Sequence, residues 1–229
     1  MKYKNIVEGR FISRPNRFIA HIDINGYEEV CHVKNTGRCR ELLVPGARVF
    51  LEKSDNPNRK TAYDLIGVIK NGRMINMDSQ IPNKVVEEWL KSSQVLFENP
   101  CIRPEKTYGK SRFDFYVEDS ERKAFIEVKG VTLEDHGIAS FPDAPTERGI
   151  KHIKELVSCM EDGYEAYLFF VIQMKGIQKM QPNWERHPAF GEALIQAARS
   201  GVKVLAYDCV VTEDSISIDA PVPVDLGED

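Results

Sequence analysis

The chain has 229 residues and a mass of 26.1 kDa, with 42% hydrophobic and 29% charged residues. That length buries a sizeable core without staples, the composition excludes a disordered chain, and the longest apolar run, Ala166 to Ile172, is too short to span a bilayer. The formal net charge of −4 and pI of about 5.8, taken at face value, argue against a nucleic-acid partner.

Residues 1–82 read as all-β. Arg17 to Ile24 alternates, Asn25-Gly26 is a strong hairpin signal, and Glu29 to Val33 continues on the far side. Pro45-Gly46 turns the chain into Ala47–Glu52, and a polar loop from Ser54 to Lys60 follows. Ala62–Lys70 is a further strand, and Asn71-Gly72 turns it into Met74–Met77. Short strands at this spacing predict a small barrel or a sandwich.

The pattern changes near Pro82. Asn83 to Leu90 has helical spacing, with Asn83 as the expected N-cap. Arg112–Val117 and Ala124–Lys129 are predicted strands joined by a charged turn, and Pro142–Thr146 opens a helix running to about Asp162. Tyr167–Gln173 is a buried strand, Pro188–Ser200 a helix closed by Gly201, and Val202–Tyr207 a last strand. The predicted fold class is therefore α/β (α+β), a small β domain over 1–82 followed by a mixed-sheet α/β domain over 83–229.

Cys31, Cys39, Cys101, Cys159 and Cys209 are odd in number and form no C-x-x-C. The first ten residues have a charged start and no apolar core, so no export signal is expected. Free thiols in a reducing cytoplasm follow from both. Cys31, His32 and Cys39 lack a second ligand pair at zinc spacing. No membrane and no small-molecule cofactor is expected, and a homodimer is compatible with the sequence.

Chemistry concentrates in Ser111-Arg-Phe-Asp114 and, thirteen residues after Asp114, Glu127-Val128-Lys129. On a strand Glu127 and Lys129 point the same way, and Asp114 on the paired strand is expected to join them, with Phe113, Phe115, Phe125 and Val128 opposite. Two carboxylates and a lysine suit a magnesium- or manganese-dependent phosphodiesterase. The expected ligands are Asp114, Glu127, the backbone carbonyl of Val128, and one of the adjacent Glu87 and Glu88. Asp114, Glu127 and Lys129 are the expected catalytic residues. On the helix after Pro145, Arg148, Lys151 and His152 fall at i, i+3 and i+4, a basic face for a phosphate backbone. Arg112, and the barrel-loop residues Arg38, Arg40, Arg59 and Lys60, are expected to act likewise. Gln173, a polar residue ending an apolar strand, reads as a satisfied strand-end amide.

Asn35-Thr-Gly-Arg38, Leu43-Val-Pro-Gly46, Ser54-Asp-Asn-Pro57, Ser111–Phe115, Glu127–Lys129, Phe141-Pro-Asp-Ala-Pro-Thr-Glu-Arg148 and Gly201–Tyr207 resemble the sugar fermentation stimulation protein A (SfsA) family, in order and over nearly the whole chain. The resemblance implies an OB-fold-like barrel followed by a domain similar to PD-(D/E)XK nucleases. It also implies DNA, double- or single-stranded, as partner and a regulatory link to sugar (maltose) use. By the same resemblance Asp114, Glu127 and Lys129 match the nuclease core. The function expected is DNA binding with metal-dependent phosphodiester hydrolysis. The alternative is a non-catalytic DNA-binding regulator that retains the nuclease-like fold. No nucleotide loop or Ser/His/Asp set supports a small-molecule enzyme of sugar metabolism.

The charge is also unevenly spread. Residues 1–82 hold fourteen Lys+Arg against nine Asp+Glu, and residues 83–229 hold seventeen against twenty-six. A basic barrel joined to an acidic, metal-requiring domain is compatible with nucleic acid despite the negative total.

Overall fold

The computed structural model describes residues 1–35 and 37–227. The first sheet contains β1 (Ile6–Asn16), β2 (Ile19–Ile24), β3 (Tyr27–Val33), β4 (Arg48–Lys53), β5 (Tyr63–Lys70) and β6 (Arg73–Asn76). Both Asn-Gly pairs make hairpins, with φ positive at Asn25, Gly26, Asn71 and Gly72, as a primed turn requires. The strands β1, β2 and β3 form an antiparallel meander, while β1 also pairs with β4 and β4 with β5. A short parallel pairing of β3 with β5 closes five strands into a barrel, and β6 extends from β5 outside the ring. Closure removes the free edges that an open sheet would expose.

The second part begins with α1 (Ile81–Ser92). This helix starts earlier than its spacing predicts: its N-cap is Gln80, and Pro82 lies in the first turn, where its missing N–H is harmless. Asn83 is therefore inside the helix rather than capping it, and its amide is free for another partner.

The chain continues through β7 (Cys101–Tyr108), β8 (Ser111–Glu118), β9 (Lys123–Val131), β10 (Glu134–Asp135), β11 (Ile138–Phe141), α2 (Glu147–Glu161), β12 (Glu165–Ile172), β13 (Lys179–Pro182), α3 (Pro188–Arg199), β14 (Lys203–Val211) and β15 (Ile216–Pro221). Six strands form a mixed sheet in the order β15-β14-β12-β9-β8-β7. Its centre, β9, β12 and β14, is parallel, and its flanks are antiparallel hairpins. Strands β10, β11 and β13 form a separate small sheet.

The centre of the large sheet is covered on both faces, which explains the unbroken apolar run of β12. Ile81, Val85, Val86 and Leu90 of α1 pack with Phe115, Ile126, Val128, Phe169 and Val171 on one face. Ile153 and Leu156 of α2 and Phe190 and Leu194 of α3 pack with Phe113, Tyr116, Phe125, Leu168 and Phe170 on the other. Phe125 thus shares a face with Glu127, as alternation requires, and Phe113 joins it; both were expected opposite. Among the described residues no helix is long and apolar enough to cross a membrane.

Candidate active site

The site forms where β8 and β9 part. Their ladder runs from Glu118–Lys123 to Phe115–Ile126 and stops there. Phe113 and Tyr116 lie in the same core cluster, so the strand breaks its alternation between them. Asp114 sits at that break. Its Oδ2 accepts from the backbone N–H of Val128 at 2.7 Å, and its Oδ1 accepts from the Asn83 amide of α1 at 2.7 Å. Burial pushes the Asp114 carboxyl up, and the charge of Glu127 adds to this. Hydrogen bonds from Val128 and Asn83 offset only part of the shift.

Glu127 sits on the α2 face of β9 and is 3% exposed. Its Oε1 takes two partners, Lys129 Nζ at 2.5 Å and His152 Nδ1 at 2.5 Å. Burial raises its carboxyl, but the bond to His152 and the Lys129 charge outweigh that, and the net shift is downward. The Lys129 side chain is 17% exposed, so its charge acts in a largely dry setting. The other oxygen of Glu127, Oε2, is buried and has no hydrogen-bond partner. A buried carboxylate oxygen without a partner is costly unless something absent from the protein meets it.

A divalent cation fits that position. Two hard carboxylates with remaining waters are a typical magnesium donor set. Among the described residues no cluster of three or more His, Cys, Asp or Glu forms a complete cage.

Glu87 and Glu88, one of which was expected as a third acidic ligand, are both elsewhere. Glu87 pairs with Lys91 one turn along α1, and Glu88 pairs with the N-terminal amine of Met1. The α1 residue that reaches the site is Asn83, one turn earlier, which spacing alone ranked as a cap. His152 is also displaced from its expected role. It is buried against Glu127 instead of standing on an open basic face, and its Nε2 lies 3.4 Å from Arg148 Nε. Only Arg148 and Lys151 of that trio are exposed, with Lys151 bonded to the Lys110 carbonyl at 3.1 Å.

The remaining expected residues divide by whether their charge is already used. Arg59 is held by Asp64 in a two-pronged pair at 2.6 and 2.9 Å, so it is not available to a phosphate. Arg112 is exposed but pairs with Glu105 at 2.6 Å. Arg38, Arg40 and Lys60 are exposed, with no carboxylate within 4.0 Å among the described residues. Gln173 is a satisfied buried amide, donating to Asn76 and Asp78 at the junction of the two parts.

Two family models cover the sequence. One, described as the SfsA N-terminal OB domain, matches residues 12–77, and the other, the sugar fermentation stimulation protein RE domain, matches residues 80–215. A sugar fermentation stimulation protein homolog of Clostridium beijerinckii is 60% identical over 218 residues, 95% of this chain and 96% of its own. A homolog of the same description from Desulfitobacterium hafniense is 60% identical over the whole of both chains, 228 residues aligned. Among solved structures, Pyrococcus furiosus SfsA in complex with Ca2+ superposes with a TM-score of 0.89 at 28% identity, covering 98% of each chain.

Proposed function

The chain belongs to the sugar fermentation stimulation protein family, and we propose that it is a divalent-metal-dependent nuclease whose barrel helps to hold the nucleic acid. The observation that carries this is the pair Asp114 and Glu127 beside Lys129, with Glu127 Oε2 buried and unpartnered. That a relative was solved with Ca2+, a hard cation of the same ligand preference, supports a divalent cation as the metal of this chain.

When bound, Mg2+ or Mn2+ supplies an activated water and neutralises charge on the phosphate. Asp114 and Glu127 would hold it: Lys129 and His152 occupy Oε1 of Glu127, so Oε2 would be free for the cation. Lys129, beside Glu127 at the end of β9, would stabilise negative charge developing on the phosphate. Arg148, exposed at the start of α2, attracts the polyanion.

The test is cleavage of single- and double-stranded DNA and RNA with Mg2+ or Mn2+. Glu127→Ala and Lys129→Ala are each expected to lower the rate about a hundredfold or more. Chelation of the metal abolishes cleavage. A wild type that cuts no substrate better than these variants overturns the proposal. A second reading, a non-catalytic DNA-binding regulator of sugar (maltose) metabolism, is favoured by one feature: Asn83 stands where a third carboxylate was expected. Salt-dependent DNA binding without cleavage selects that reading.

A further inference from the structure

At one end of the barrel, the β1–β2 turn and the loop after β3 enclose a groove of about 470 Å³. Its lining includes Arg14, Arg17, Arg38 and Arg40, with apolar surface from Phe11 and Ile12. Among the described residues no Asp or Glu lines it. This stands out in a chain whose net charge is −4. Elsewhere Arg48, Arg59, Arg73, Arg112 and Arg122 each meet a carboxylate at 2.6–2.9 Å. Arg17, Arg38 and Arg40 are exposed and have no such partner among the described residues.

Arg14 plays a different part. Its guanidinium donates to the carbonyls of Asn35, Gly37, Arg38 and Arg17 at 2.6–2.8 Å, which ties the two loops into one wall. The groove is therefore preformed, and its three remaining arginines have no carboxylate partner among the described residues.

We infer that this groove binds single-stranded nucleic acid, with Arg17, Arg38 and Arg40 on phosphates and Phe18 beneath a base. The inference rests on the nucleic-acid reading above. Phe18 follows Arg17 at the turn, is 51% exposed, and has the Arg17 guanidinium over its ring at 5.5 Å. Ile12, which lines the groove, is exposed, as is Val44 between the lining residues Leu43 and Pro45. Exposed rings and aliphatic groups among unpaired arginines suit a strand whose base faces are free. A duplex keeps those faces stacked inside and cannot use them. Gly37 borders this groove and also a second cavity of about 180 Å³ that includes Gly130, the residue after Lys129. A strand seated in the groove is thereby directed toward the catalytic strand end.

The experiment uses the wild-type chain in EDTA, so that binding is read without cleavage. Fluorescent oligo(dT), oligo(U) and a DNA duplex of equal nucleotide count are titrated at several salt concentrations. Oligo(dT) or oligo(U) is expected to bind at least about tenfold tighter than the duplex, and the two arms tell DNA from RNA. Arg17→Ala and Arg40→Ala each reduce the slope of log K against log salt by about 0.7, while Arg→Lys at the same sites retains it. Phe18→Ala weakens binding about tenfold and leaves the slope unchanged. Duplex binding as tight as single-strand binding, or wild-type affinity in all three alanine variants, overturns the inference. Oligo(dT) binding without any cleavage in Mg2+ would remove only the nuclease reading. Cleavage of duplex with no strand preference would remove only this one.

Discussion

Glu127 and Asp114 are neighbours whose surroundings push their carboxyls in opposite directions. Burial and the Glu127 charge move Asp114 up, while the His152 bond and the Lys129 charge move Glu127 down against its own burial. The amide that restrains Asp114 comes from Asn83, in a contact that is partly buried. Asn83→Ala leaves Asp114 Oδ1 without that donor and is expected to cost about 1–2 kcal/mol in urea denaturation. A variant as stable as the wild type would show that water replaces the amide at no cost. Asp64 offers a second test. Burial opposes its charge, but Arg59, His32 and Lys34 outweigh burial and hold its carboxyl down from 3.8 to about 2. A folded value below the unfolded one means stability that is present above about pH 4 and lost as pH falls toward 2. Asp64 is therefore expected to contribute about 2 kcal/mol at neutral pH, vanishing through that window. Denaturation midpoints measured between pH 5 and 2 should show a smaller acid loss in Asp64→Asn than in wild type.

The elements that local chemistry marks strongly were legible. Thr146 extends its backbone ahead of α2 and its Oγ1 accepts from the Gly149 N–H at 3.0 Å. Thr146→Ala is expected to cost about 1 kcal/mol, read as a lower denaturation midpoint. Pro188 in the first turn of α3, Gly201 after its end, and the two Asn-Gly hairpins were equally readable. The missed elements carry no such marks. Strand β7, at one edge of the large sheet, is exposed at most positions, and β15, at the other edge, alternates but over only six residues that end in a proline. Strand β1 alternates only from Glu8 to Ile12, with a glycine at one buried position and an isoleucine at an exposed one, and its register shifts near Ser13. In the site, Glu127 and Lys129 were legible as charges inside an apolar strand. The contributions of Asn83 and His152 were not, since both depend on which turn of a helix meets a strand end. That is set by packing across the sheet rather than by spacing along the chain.

Across the whole molecule, the barrel and the mixed-sheet part are joined by polar bonds that neither could satisfy alone. Gln173, 1% exposed, donates through Nε2 to the Asn76 carbonyl, the Asn76 side chain and the Asp78 carbonyl at 2.9–3.2 Å. The Asn76 N–H returns a bond to the Gln173 carbonyl at 2.9 Å, and Ile75 bridges to Met174 beside it. Gly130 faces the same amide: a Cβ there would stand 2.5 Å from Gln173 Oε1 and 2.7 Å from Pro82. The strand end that carries Lys129 is thus packed directly on the joint between the two parts. One continuous core cluster also runs from Phe11 and Leu51 in the barrel to Phe170 and Met174 in the sheet. Shared core and shared polar bonds predict that both parts unfold together. Trp89 and Trp184, both in the second part, report its unfolding by fluorescence, while far-ultraviolet circular dichroism reports the whole chain. The two urea curves are expected to coincide in the wild type. Gln173→Leu keeps volume but leaves buried acceptors on Asn76 and Asp78 without their donor, at a cost of about 2–3 kcal/mol. Its two curves are expected to shift to lower urea and to separate, with fluorescence and circular dichroism no longer superposing. A Gln173→Leu variant with the wild-type midpoint and coincident curves would mean that the apolar core alone couples the two parts.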